Sequence, residues 1–359
     1  MNVLIVLLEL CSYIFFSLLM GHVVLLFVSD DRKPAIQMSK PWLLISILGI
    51  ILCSLGPVLQ VVAHFNGVMS VSETLMTVIT DFQVGKAWLV ISWVSIFLWF
   101  TTLHNGSRYL QAFWMLCLIT AVGYASHVAS LSFVAGWAMH SIHLLSVTLW
   151  AGVLLHVSWF AKDGKNLHSF LKWFSTFAAI CMAIILSSGF AVMLFVVDVK
   201  DYVNSWVLSY GQTLLLKHLS IIPLLALAFV NMYLTRKGKK GGFNPFPFLR
   251  AESILFFIVI GFTGLLGTLS PPHNIDFTVD SEGAAKWAQF MAGGTISSPV
   301  HLTIQSGQIL EGVSLITFSI AFLGMLAYSI RKKASIVWYV LFSVCFIASA
   351  YFGLNRLYL

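Results

Sequence analysis

Stretches of about 20 consecutive apolar residues recur along almost the whole chain, parted by short polar breaks, and this spacing constrains the fold more than any other feature. A helix rising 1.5 Å per residue needs about 20 apolar residues to cross the ~30 Å hydrocarbon core of a bilayer. Ten such stretches run over roughly 3–28, 41–64, 86–103, 109–131, 134–160, 170–197, 213–235, 250–269, 306–330 and 334–355. They lack the alternating period and turn spacing of an outer-membrane barrel. The expected fold class is therefore all-α: a polytopic integral membrane bundle of about ten transmembrane helices. Composition leads to the same place, because only 9% of the residues are charged and 59% are hydrophobic. A soluble domain averages about 25% charged residues, so the missing polar surface faces lipid.

Basic residues orient the bundle. With the N-terminus outside, 15 of the 20 Lys and Arg fall in inner connections, among them Arg32, Lys33, Lys40, Arg108, Lys162, Arg236, Arg331 and Lys332. The positive-inside rule then places both termini outside. The net charge of +7 is spread over alternate loops rather than gathered on one patch, which excludes a nucleic-acid-binding surface. The first stretch has no basic n-region, contains Glu9 and lacks a small-residue cleavage site before Asp30, so it is expected to stay as a helix. Cys11, Cys53, Cys117, Cys181 and Cys345 lie in five different spans without a Cys-x-x-Cys pair. They read as small packing residues.

Two breaks are longer than the rest. The inner one, 236–250, is a basic, glycine-rich turn. The outer one, 270–305, begins with Pro271, Pro272 and His273, carries Met291 and His301, and is long enough to fold over an external entrance or to serve as a solvated connection.

Histidines carry the chemistry. A polar side chain at membrane depth is costly unless a partner, water or a metal meets it. In this topology His64, His127, His140, His143, His218, His273 and His301 are outward, whereas His22, His104, His156 and His168 are inward and read as ordinary hydrogen bonds to a neighbouring helix. His140 and His143, three apart on the fifth span, share a face, and His143 lies about 14 Å beyond the helix start. His127, at the outer end of the preceding span, is joined to this helix by a short turn. Three imidazoles with Met139 suit a soft transition ion such as copper better than a hard cation. His64, His273 and His301 are accessory capture candidates.

Several features between Gly123 and Pro272 resemble the CopD family of bacterial copper-resistance and copper-import membrane proteins. Ser126-His127 resembles the family's Ser/Thr-Gly-His segment, with Ala125-Ser126 where a glycine is usual. His143 followed by Leu149-Trp150-Ala151-Gly152 resembles its His and Leu-Trp-x-Gly-Gly helix, with Ala151 replacing one glycine. Ser187-Ser188-Gly189 resembles the Thr/Ser-Gly of the next span. Tyr210-Gly211 through Lys217 resembles a Tyr-Gly-x-x-Leu-x-x-Lys signature, followed by Asn231, by Leu249-Arg250-Ala251-Glu252 and by Pro271-Pro272. The resemblance divides the chain into N-terminal helices (1–119), a CopD-like core (120–272), an extracytoplasmic loop (273–305) and a C-terminal hairpin (306–359).

The resemblance implies copper movement inward across the plasma or inner membrane, with His127 and His143 as ligands; His140 has no counterpart in the family pattern. Trp150, Gly152 and Gly189 read as packing, Lys217 as support for the Tyr210-Gly211 turn, and Glu252 as a helix cap or a proton relay. No copper-binding β-sandwich of the CopC type lies in the chain, so a separate CopC-like protein or another extracytoplasmic copper binder is the partner implied. No nucleotide-binding motif or phosphorylated-aspartate loop is present, and the chain does not read as an enzyme. Two other readings stay open: a b-type haem protein using pairs such as His64 and His127 or His22 and His143, and a copper chaperone for membrane oxidase assembly.

Overall fold

The computed structural model describes residues 3–65, 70–162, 164–237, 244–272 and 274–359, with the main chain only at Leu234, Arg236 and Lys237. The expected candidate His273 lies outside the described residues. Among the described residues, nine helical spans are long and apolar enough to cross a membrane. The only β pairing among them is a single bridge between Ile36 and Ala161. The all-α, multi-pass expectation stands.

The chain divides into two compact units. The first, Met1–Phe195 with Met232–Gly241, opens with α1 (Val3–Leu26), α2 (Lys40–Cys53) and α3 (Leu55–His64). The span expected over 41–64 is one membrane-length segment that breaks at Ser54. Pro57 has no N–H to give the Cys53 carbonyl, so α2 cannot run on unbroken into α3. A short amphipathic helix, α4 (Val71–Asp81), follows, and its capping box pairs the Ser70 hydroxyl and main chain with Glu73. Then come α5 (Gln83–Leu103), α6 (Arg108–Tyr124), α7 (His127–Leu131), α8 (Phe133–Phe160) and α9 (Leu167–Leu194).

The stretch expected over 109–131 is divided: α6 has 17 residues, four fewer than the shortest of the nine spans. Its end is set by Ser126, whose Oγ donates to the Gly123 carbonyl at 2.7 Å and accepts from the Ala129 N–H at 3.2 Å. That side chain closes one helix and caps the next.

Helix α1 lies at the centre of this unit and packs against α2, α3, α6 and α8, while α8 also contacts α7 and α9. Phe16, Leu19 and Met20 of α1 meet Ile47 and Ile50 of α2, Ile91 and Leu98 of α5, Met115 and Leu118 of α6, and Leu144 of α8 in one buried cluster.

The second unit, Val196–Asn231 with Gly242–Leu359, takes in most of α10 (Ser209–Lys237) and all of α11 (Phe246–Leu266), α14 (Ile309–Arg331) and α15 (Ile336–Tyr358). Its long connection is ordered as α12 (Ile275–Glu282) and α13 (Lys286–Ala292). Ile275, Val279, Ala288, Met291 and Val300 bury together with Val207, Leu208 and Leu359, so this segment is a small packed cap and not a solvated strand of chain.

Candidate metal centre

The 28-residue α8 carries His140, His143 and His156, and its neighbours decide what each can do. His143 faces α9. Its Nδ1 lies 3.1 Å from the Ile185 carbonyl and 3.1 Å from Ser188 Oγ. A carbonyl oxygen can only accept, so the proton sits on Nδ1 and the lone pair on Nε2. The Ser188 hydroxyl donates to the Ile184 carbonyl of its own helix, which turns its own lone pairs toward the imidazole N–H.

Gly189 makes the approach possible: a Cβ there would lie 2.9 Å from His143 Cε1 and 3.3 Å from Nδ1. Three groups of α9 thus hold one imidazole. A ring whose far N–H is tied to a carbonyl while the other nitrogen carries the lone pair is the arrangement that orients metal-ligating histidines.

The other expected ligands are placed less closely. His140 and Met139 lie one turn earlier on α8, both half-buried, and His127 is the exposed first residue of α7. Among the described residues, no three His, Cys, Asp or Glu side chains gather as a metal-holding group. His127, His140 and His143 are therefore not assembled as a closed three-imidazole cluster. His64 ends α3, exposed and edge-on to Phe65, and His301 is an exposed residue before α14.

The family-motif residues take mainly structural positions. Trp150 is 3% exposed. A Cβ on Gly152 would lie 2.2 Å from the Ser17 carbonyl oxygen and 2.5 Å from Gly21 N, so this glycine sets how closely α1 and α8 cross. A Cβ on Gly211 would strike the Ser205 carbonyl; the turn after Tyr210 therefore packs main chain on main chain. Lys217, on α10, is half-buried.

Asn231 and Glu252, 7% and 2% exposed, meet across α10 and α11, where Asn231 Nδ2 donates to Glu252 Oε2 at 3.4 Å. Glu252 lies six residues into α11, past the first turn, so it is a buried interhelical partner rather than an N-terminal cap.

One expectation is corrected. His156 does not bond a neighbouring helix: its Nδ1 donates to the Gly152 carbonyl of α8 itself at 2.8 Å. The Ser188 contact to His143 is likewise not legible in the sequence, although Ser188-Gly189 stands out there as a motif. Helical spacing relates residues within α8, and nothing in it says which turn of α9 lies opposite.

Apolar spans that enclose imidazole, amide and carboxyl groups define a multi-pass integral membrane protein with polar chemistry at membrane depth. Comparison with known proteins sharpens this class. Residues 168–266 match the model of the family CopD, copper resistance protein D. That stretch includes Ser188, Gly189, Tyr210, Gly211, Lys217, Asn231 and Glu252, whereas His127, His140 and His143 precede it. The chain is also similar to the copper transport protein CutJ of Bacillus subtilis (strain 168), 28% identical over 164 residues, which is 44% of this chain and 30% of that relative. The alignment therefore spans less than a third of the relative's length. No solved structure matches.

Proposed function

We propose that the protein moves copper inward across the cytoplasmic membrane through an intramembrane histidine site centred on His143. The observation that carries this reading is the cradle formed by Ile185, Ser188 and Gly189, which fixes the His143 ring with Nδ1 protonated and the lone pair at Nε2. Two of those three residues fall within motifs that resemble the copper family, and the cradle belongs to the stretch matched by the family model. The similarity to a protein named for copper transport supports the same substrate.

In this reading α6 serves as a tenth crossing, so that both termini are outside, and His127, exposed at the start of α7, receives copper from the outer side, with His64, His273 and His301 as further capture groups. Copper then passes to His143, with His140 and Met139 one turn away on α8 as additional donors. Imidazole and thioether bind copper well and bind hard cations poorly. Delivery to the outer face falls to a separate CopC-like or other extracytoplasmic copper-binding protein. The chain acts as a transporter and not as an enzyme.

Copper uptake into proteoliposomes, comparing the unmodified chain with His143→Ala and His127→Ala, tests this directly. Uptake is expected to fall at least tenfold in His143→Ala with folding retained. Unchanged uptake in that variant removes His143 from the pathway. Copper binding without accumulation, even by the unmodified chain, would replace transport with a chaperone role.

A further inference from the structure

The opposite end of α8 holds a second imidazole in a different setting. His156 lies about 20 Å along the helix axis from His143 and on another face, turned toward α1. There α1 and α8 cross with almost no intervening side chain: a Cβ on Gly21 would lie 2.3 Å from the Gly152 carbonyl and 2.7 Å from His156 Nδ1. The ring is thereby pressed against the main chain of α1, and His156 is 1% exposed.

Its Nδ1 proton is given to the Gly152 carbonyl, which leaves the lone pair on Nε2. That nitrogen is buried and has no hydrogen-bond partner among the described residues. A buried acceptor left in this state carries a free-energy cost that a bound ligand removes. The residue after Gly21, and so next along α1 to the point where His156 meets that helix, is His22, itself half-buried. Both histidines stand one helical turn from the ends of their helices, Leu26 and Phe160. The connection that follows α1 is bonded to the end of α8 by main-chain bonds from Gln37 to Phe160 and from Lys162 to Ala35.

We infer that His156 and His22 form a second metal site, a two-imidazole station at the inner end of α1 and α8 that takes a soft monovalent cation of the Cu(I) or Ag(I) type. The ligand chemistry selects the charge. Among the described residues no third His, Cys, Asp or Glu completes a group around the pair. Lys33, beyond the end of α1, is tied up by the Leu25 and Val28 carbonyls and by Asp30. With neutral ligands only, placing a divalent ion in this apolar setting costs far more than placing a monovalent one. A closed-shell monovalent ion is also satisfied by two nitrogen donors in line.

That the ion is copper rests on the function proposed above, in which the pair is the station from which copper leaves toward the inside.

The test reads binding without transport. The full chain carrying His127→Ala, His140→Ala and His143→Ala is purified in detergent and loaded with Cu(I) under reducing conditions. Affinity is measured by competition with a chromogenic Cu(I) chelator, and the ligands by X-ray absorption. The triple variant is expected to retain one Cu(I) with two nitrogen ligands, and Ag(I) to compete for the same place. Adding His22→Gln, or His156→Asn, which keeps the bond to Gly152 but removes Nε2, is expected to weaken binding at least tenfold without loss of helix content. A triple variant that holds no Cu(I), or one that holds it equally well after both further changes, overturns the site. A protein that binds Cu(I) at the pair and moves none across vesicles upholds the site and overturns the transport reading.

Discussion

Substituting Gly189 by alanine is the sharpest probe of the His143 cradle, because it adds one methyl group where only a side chain can yield. The new Cβ would stand 2.9 Å from His143 Cε1 and 3.3 Å from Nδ1. Ordinary carbon contacts settle at about 3.5–4.0 Å, so the ring must retreat by roughly 0.6 Å or more. From its present 3.1 Å contacts to the Ile185 carbonyl and Ser188 Oγ, such a shift takes Nδ1 out of good hydrogen-bonding range. The bond itself is worth about 0.5–1.5 kcal/mol net.

Against that loss, Gly→Ala inside a helix gains up to about 1 kcal/mol, so the thermal midpoint of the variant is expected to stay close to that of the unmodified chain. Metal affinity responds differently. Disturbing the group that orients a ligating histidine costs about 10–100-fold, or roughly 1.4–2.8 kcal/mol. Copper affinity by chelator competition, with thermal unfolding in detergent alongside, separates the two effects. An affinity within twofold of the unmodified protein would refute the reasoning: either His143 is not a ligand or its orientation does not depend on α9.

Three further outcomes follow from the same structure. Gly152→Ala meets the main chain at Ser17 and Gly21 instead of a movable ring, so it is expected to lower stability by about 1–3 kcal/mol or more, seen as a reduced thermal midpoint and poor yield. Asn355→Leu removes the acceptor that Gln212 Nε2 meets at 2.7 Å and leaves a buried polar group partly unsatisfied, a cost of about 1–3 kcal/mol measurable by denaturant unfolding in detergent. Glu73 is held below the ordinary carboxylate range by the Ser70 hydroxyl and N–H; its contribution to the start of α4 is present at and above that range and is lost as pH falls through the lowered value. Amide exchange in the first turn of α4 should quicken only in acid, and Glu73→Gln should flatten that dependence.

The amino-acid sequence alone determined the fold class, because an apolar run of membrane length needs no partner to declare itself: its helix closes every main-chain hydrogen bond within the segment. Nine of the ten expected stretches reappear among the described residues as helical spans of membrane length, and the tenth, 109–131, is divided into α6 and α7. Even the interruptions at Pro57 and at Ser126 act through local main-chain bonding. Ser188, Gly189, Gly152 and Glu252 are likewise legible in the amino-acid order, as members of short motifs.

What each of them touches was decided only by tertiary structure. Spacing puts His140 and His143 on a common face but cannot say that His143 meets Ser188 and Gly189 of α9. It cannot pair Gly21 with Gly152 across more than 100 residues, and it leaves His156 among the unremarkable histidines. The division into two units and the packed cap of α12 and α13 are equally hidden. The reason is physical: in a uniformly apolar sequence every helix face is compatible with lipid, so hydropathy carries little information about which faces turn inward. Close packing of small residues and the placing of a few polar groups make that choice, and both are properties of pairs of helices, not of any one segment.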